Sequence, residues 1–148
     1  MKIIAVMPYS GEAEFLHTHP EVIDGRIQQT SLHETYTRLQ QLGEQSENTG
    51  RPLLVWASET VLNYLEDRGI SYYLIYPSAE CKDEYVKRSV EATDGQHNVI
   101  SKLYDIAWDD LLDDLHRRRK AYPMILGKCM LMNDILTVKD ATDIVLKD

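Results

Sequence analysis

Residues 7–16, MPYSGEAEFL, come closest to a chemical device in this chain. They follow a short apolar run and carry a glycine where a phosphate-binding turn would need one. A working phosphate loop reads GxxxxGK[ST]: backbone amides cradle the phosphates, the lysine neutralises the β and γ groups, and the hydroxyl holds magnesium. Laid over Val6-Met7-Pro8-Tyr9-Ser10-Gly11-Glu12-Ala13, the pattern puts Val6 at the first glycine, Gly11 at the second, Glu12 at the lysine and Ala13 at the hydroxyl. Only Gly11 survives. A unit charge about 4 Å from a phosphate is worth up to about 4 kcal/mol at an effective dielectric of about 20, so reversing its sign swings the energy by about 8 kcal/mol before screening. A backbone hydrogen bond contributes about 1 kcal/mol, so the charge term decides. Without the hydroxyl at Ala13 the usual magnesium ligand is missing as well. No appreciable ATPase or kinase activity is expected.

Other reactive side chains have simpler roles. His17 and His19 form an HxH half-site, but no third or fourth metal ligand stands at a supporting spacing, so they are expected at a helix end before Pro20 and no metal is expected. Asp105, Asp109, Asp110, Asp113 and Asp114 fan over one side of a predicted helix rather than converging. They read as a solvated face, with docking against a basic surface, including mimicry of nucleic-acid phosphates, as the functional option. Residues 117–120, RRRK, fall at that helix's C-terminus, where positive charge complements the macrodipole. Ser31, Ser58 and Ser78 read as N-caps, since none has a histidine and acid partner. Tyr72, Tyr73 and Tyr76 read as core with a polar tip. Cys81 and Cys129 match no CxxC or zinc spacing and are expected to be buried, reduced thiols.

The elements that position these residues follow from periodicity. Residues 2–7, 53–57 and 71–76 are continuous apolar runs, as strands buried on both faces read; 124–126 is a weaker fourth, and Val22-Ile23 suits a short edge strand. Ser31 with Glu34 fits a capping box for a helix over 31–42, stopped by Gly43. Ser58 opens a helix carrying Val61, Leu62 and Leu65 and ended by Gly69. Further helices are predicted over 79–91 and 98–119, the latter with Ala107, Trp108, Leu111, Leu112 and Leu115 on its apolar side. Residues 43–51 and 92–96 read as loops. Beyond 136, Thr137 and Asp140 are expected to cap a short terminal helix bearing Ile144, Val145 and Leu146, docked on the domain or forming a homodimer contact.

At 148 residues, 43% hydrophobic and 27% charged, the chain fits a single globular domain with a continuous core. A net charge of −8 argues against non-specific nucleic-acid binding, which needs clustered Lys and Arg. No apolar stretch approaches the roughly 20 residues of a membrane span, and the apolar start is too short for a signal-peptide core. A cytoplasmic protein is expected. Alternating strands and helices point to an α/β fold with a parallel sheet.

Residues 55–91, VWASETVLNYLEDRGISYYLIYPSAECKDEYVKRSVE, add a family resemblance. A strand ending in Ala57-Ser58, a helix ending in Arg68-Gly69, a Tyr76-Pro77 strand end, and Glu84-Tyr85 with Arg88 follow in order. Trp108-Asp109 and Asn133-Asp134-Ile135-Leu136 come after them. This succession resembles a family of small P-loop nucleotide-kinase-like proteins common in bacteriophages, over roughly residues 2–136; residues 137–148 lie beyond it. The resemblance implies a three-layer sandwich with a kinase-like parallel sheet, its strands in the order second, third, first, fourth, fifth. It makes residues 8–13 a vestigial phosphate loop. It also implies Asp24 and Arg88 as nucleotide-side residues, Arg88 in the place of a lid arginine. Taken by themselves, Asp24 reads as a turn residue and Arg88 as a solvated helix charge. The expected function is a non-catalytic, phage-type protein that binds a macromolecule, such as a host protein it inhibits or modulates, without cofactor. The alternatives are a small nucleotide or nucleic-acid-end kinase that uses ATP and magnesium through a diverged loop, and a nucleotide sensor that binds without hydrolysis.

Overall fold

The strands form where apolar residues run without alternation, because such a run can satisfy its side chains only between two covered faces. The computed structural model describes residues 2–27, 31–93, 95, 98–139 and 143–147. Its main sheet joins β1 (Ile3–Val6), β2 (Ile23–Asp24), β3 (Leu53–Trp56), β4 (Tyr72–Pro77) and β5 (Ala121–Leu126), all parallel, in the order β2-β3-β1-β4-β5. This is the strand order that the resemblance implies. The register pairs Val6 with Trp56 on one side and with Ile75 on the other, which centres the end of β1 in the sheet.

Pleating sends alternate residues to opposite cores. Ile3, Ala5 and Met7 join Leu53, Val55, Leu74 and Tyr76 on one face. It is covered by α2 (Leu32–Thr49), α3 (Glu59–Asp67), α4 (Lys82–Glu91) and α5 (Val99–His116). Ile4 and Val6 join Leu54 and Ile75 on the other. Its cover is thinner: α1 (Glu12–Thr18), α6 (Met132–Ile135) and the antiparallel hairpin of β6 (Leu136–Lys139) and β7 (Asp143–Leu146). Each fully buried Leu or Ile contributes about 1.5–3 kcal/mol, so these two cores dominate the fold's stability. Among the described residues no helix is long and apolar enough to cross a membrane.

Several expectations need correction. Gly43 does not stop α2: the helix continues through residues expected to be a loop, and Gly50, at φ +71°, caps it by donating to Ser46 O at 2.9 Å. An interior glycine costs about 1 kcal/mol relative to alanine. Buried Leu42 and Ser46, whose hydroxyl donates to Arg51 O at 2.7 Å, outweigh that cost. The terminal helix is instead the β6–β7 hairpin, Leu136 pairing with Leu146 and Thr137 with Val145. Its β-branched Thr137, Val138, Ile144 and Val145 suit a pleated surface, and Leu136 and Ile144 bury themselves against the thinner face. Asp140 lies outside the described residues, as do Asp94 and Gln96 of the expected 92–96 loop. Ser31 and Ser58 do cap, accepting from Glu34 N at 3.2 Å and Val61 N at 3.3 Å. Ser78 precedes a 3-10 turn, Ala79–Cys81, without a side-chain cap bond. Cys81 is buried, but Cys129 is exposed.

Candidate functional site

The turn after β1 lies at the carboxyl edge of the sheet's central strand, where ligands of open α/β sheets gather. Its path depends on two residues in the left-handed region, Tyr9 at φ +75° and Gly11 at φ +88°. Gly11 is needed there for space too, since a Cβ would lie 2.9 Å from Leu131 Cβ. For Tyr9, which has a Cβ, the conformation costs of order 1–2 kcal/mol, so surrounding contacts must hold it.

Those contacts are unusually complete. Five successive carbonyls each accept a hydrogen bond: Met7 O from Ser10 Oγ (2.7 Å), Pro8 O from Tyr104 Oη (2.6 Å), Tyr9 O from an Arg88 guanidinium nitrogen (2.9 Å), Ser10 O from Met132 N (2.9 Å) and Gly11 O from Phe15 N (3.0 Å). Because Ser10 gives its proton to Met7 O, the Tyr85 hydroxyl, 2.9 Å away, donates to Ser10 Oγ. The donors come from both sides of the sheet: α4 and α5 supply Tyr85, Arg88 and Tyr104, and α6 supplies Met132. Tyr85, Tyr104 and Trp108 pack with ring centroids 5.6–6.1 Å apart, and Trp108 is anchored by its indole N–H to Ala79 O at 2.9 Å.

Two amides of the turn point at Glu12. Its carboxylate accepts from Ser10 N through Oε1 (3.0 Å), and from Tyr9 N (3.1 Å) and the Trp56 indole N–H (2.9 Å) through Oε2. Glu12 is buried, 6% exposed. In a phosphate loop such amides would face an anion from outside; here the anion is the protein's own. Arg26 stands over the Trp56 ring, 5.9 Å from its centroid, and its charge is favoured first by Asp24 and also by Glu12. Burial pushes the Tyr85 hydroxyl up to about 12 and the Tyr104 hydroxyl well above its ordinary value, Glu12's charge adding to the latter, so both remain donors at neutral pH.

The structure brings Arg88 to the turn, not into solvent: half-buried, it holds Tyr9 O and lies 4.9 Å from the centre of the Tyr85 ring. Asp24 is otherwise engaged. Both of its oxygens take Arg26 nitrogens at 2.9 Å, and that hydrogen bonding holds its carboxyl below the usual range. Ala13 is exposed and adds no hydroxyl. Asp105, Asp109, Asp110, Asp113 and Asp114 are exposed along α5, and Asp114 pairs with Arg118 at 2.9 Å. His19 stacks on Phe15 at 4.3 Å, and among the described residues no three His, Cys, Asp or Glu converge as a metal site. Cys129 donates its thiol to Glu84 Oε1 at 3.0 Å, and that carboxylate raises the thiol's pKa and keeps it protonated. A cleft of about 330 Å3 opens elsewhere, between α2, α3 and the sheet, lined by Leu39, Gly43, Tyr64 and Leu65.

Sequence reasoning missed Tyr85, Tyr104, Trp56, Arg26 and Met132. Two of these left a signal. Tyr85 and Arg88, three apart on one helix, share a face, and Trp56 closes a strand that had to neighbour β1. No family model, curated protein or solved structure matches the chain.

Proposed function

We propose that this chain is a non-catalytic, phage-type relative of P-loop nucleotide kinases that acts by binding a macromolecule, with a host protein as the class of partner, and not by phosphoryl transfer. One observation carries the reading: the Glu12 carboxylate occupies the amides of Tyr9 and Ser10, two of the groups a phosphate would use. The lysine and hydroxyl positions supply no cation and no magnesium ligand. The turn's carbonyls and the amides of Tyr9 and Ser10 are engaged in holding its own shape, which favours a role for the fold's surface.

The test is nucleotide challenge of the purified protein. A nucleotide at about 100 times its dissociation constant adds about 2.7 kcal/mol to stability. The expected result is no thermal shift and no hydrolysis with ATP, ADP or GTP. Turnover that disappears when Gly11 is substituted would overturn the proposal. The position of Arg88 favours a second reading, a nucleotide sensor in which a phosphate displaces Glu12 and meets the guanidinium. That reading requires a thermal shift without hydrolysis.

A further inference from the structure

We infer that α5 is a docking element for a helical partner whose facing residues are apolar at one end and Lys- or Arg-bearing at the other; this rests on the macromolecule-binding reading above. The inward side of α5 is built from Ser101, Tyr104, Trp108, Leu112 and Leu115. An ordinary surface helix would turn polar residues the other way. Here the outward side of the first half carries Val99, Leu103 and Ile106 in steps of four and three, the spacing of a coiled-coil seam, and the second half carries Asp110 and Asp113 outward. Val99 is 76% exposed and Ile106 84%, with Leu103 also exposed between them. Three large apolar side chains in one row differ from the scattered single ones that any surface carries.

The second half of the helix fixes the partner's charge. Beyond Ala107, whose φ of −122° and ψ of 25° break the helix, the exposed side of the second half carries Asp109, Asp110 and Asp113. A partner helix complementary to this side places apolar residues against Val99, Leu103 and Ile106, and cations against Asp110 and Asp113. A second copy fits poorly. A parallel pair of α5 helices sets carboxylate against carboxylate, and an antiparallel pair sets carboxylates against Val99 and Leu103. Nucleic acid fits worse, because phosphates are repelled by the same aspartates.

The test uses two synthetic amphipathic peptides of about three heptads. Both carry leucine at three successive seam positions, followed by lysine at the next two in one and glutamate in the other. Fluorescence anisotropy should show the lysine peptide binding at least about tenfold tighter than the glutamate peptide. Ile106→Asp should weaken it at least about tenfold, and Asp110→Lys with Asp113→Lys should invert the preference. Melting temperatures should stay at the wild-type value, since these side chains are exposed. Equal binding of the two peptides, or an Ile106→Asp variant that binds as wild type does, overturns the inference. Nucleotide turnover bears on the non-catalytic reading alone, so the two failures are separable.

Discussion

Replacing Glu12 by alanine is the sharpest perturbation of the turn. The substitution removes one buried carboxylate and strands three donors, Tyr9 N, Ser10 N and Trp56 Nε1, now 3.1, 3.0 and 2.9 Å from its oxygens. Hydrogen bonds to a charged group contribute about 1.5–3 kcal/mol each, but the space left by the side chain admits water to part of the array. The net loss should be about 3–5 kcal/mol. For a chain of this size each kcal/mol shifts the melting temperature by about 2–4 °C, so a fall of about 10 °C is expected. Glu12→Gln keeps the shape but has one acceptor oxygen, and its amide N–H groups then face a donor. Its loss should fall between wild type and alanine. Differential scanning calorimetry ranks the three, and acetate at constant ionic strength should raise the alanine variant's melting temperature more than the wild type's. An alanine variant within about 1 °C of wild type would refute the reasoning, because it would mean the carboxylate does not hold the turn.

Two further outcomes follow from the same geometry. Gly11→Ala puts a Cβ 2.9 Å from Leu131 Cβ at φ +88°, and should cost about 2–3 kcal/mol as a lower urea midpoint with an unchanged m-value; a loss under about 0.5 kcal/mol contradicts the close approach. Asp24's carboxyl is held below its ordinary value chiefly by Arg26, so its stabilisation is present above the ordinary carboxylate range and fades as pH falls through it. Because the pair is largely exposed the effect stays under about 1 kcal/mol, and Asp24→Asn should flatten that share of the acid dependence at and below the ordinary carboxyl value of 3.8; identical curves for variant and wild type would show that the pair contributes nothing.

How much of this was legible in the sequence depends on how local the cause is. The strands were, because burial on both faces leaves continuous apolar runs at Ile3–Val6, Leu53–Trp56 and Tyr72–Pro77. The end of α2 was not. Gly43 is the stronger local stop signal, and it lost to Leu42 and Ser46 docking on the sheet and to Gly50, which supplies the left-handed cap seven residues later. The C-terminal hairpin was missed for a similar reason: Ile144-Val145-Leu146 is too short to show a period, and what selects a hairpin is the uncovered face holding Val6 and Ile75. On α5 the inward stripe was read in part: Trp108, Leu112 and Leu115 are buried, Ala107 and Leu111 are half-buried, and Tyr104 was missed; Val99, Leu103 and Ile106 escaped notice because apolar residues outside the stripe carry no mark in a sequence. Their exposure is visible only once the sheet shows which side is in.

The turn itself is the instructive case. On the phosphate-loop reading proposed above, Glu12 stands where a lysine would neutralise phosphate, and a charge argument from that placement predicts repulsion of an anion. The structure adds a different cause with the same outcome. Glu12 accepts from two amides of the turn and from the indole N–H, donors that the proposed reading would otherwise leave to an incoming anion. The two mechanisms part in the alanine variant. If repulsion alone closes the turn, removing the charge costs no stability and admits phosphate. If the carboxylate is the turn's resident anion, its removal destabilises the fold first, and any anion admitted acts by restoring what was lost. Tyr9 decides between them, because a residue held at φ +75° by Arg88 on its carbonyl and Glu12 on its amide relaxes when either partner goes.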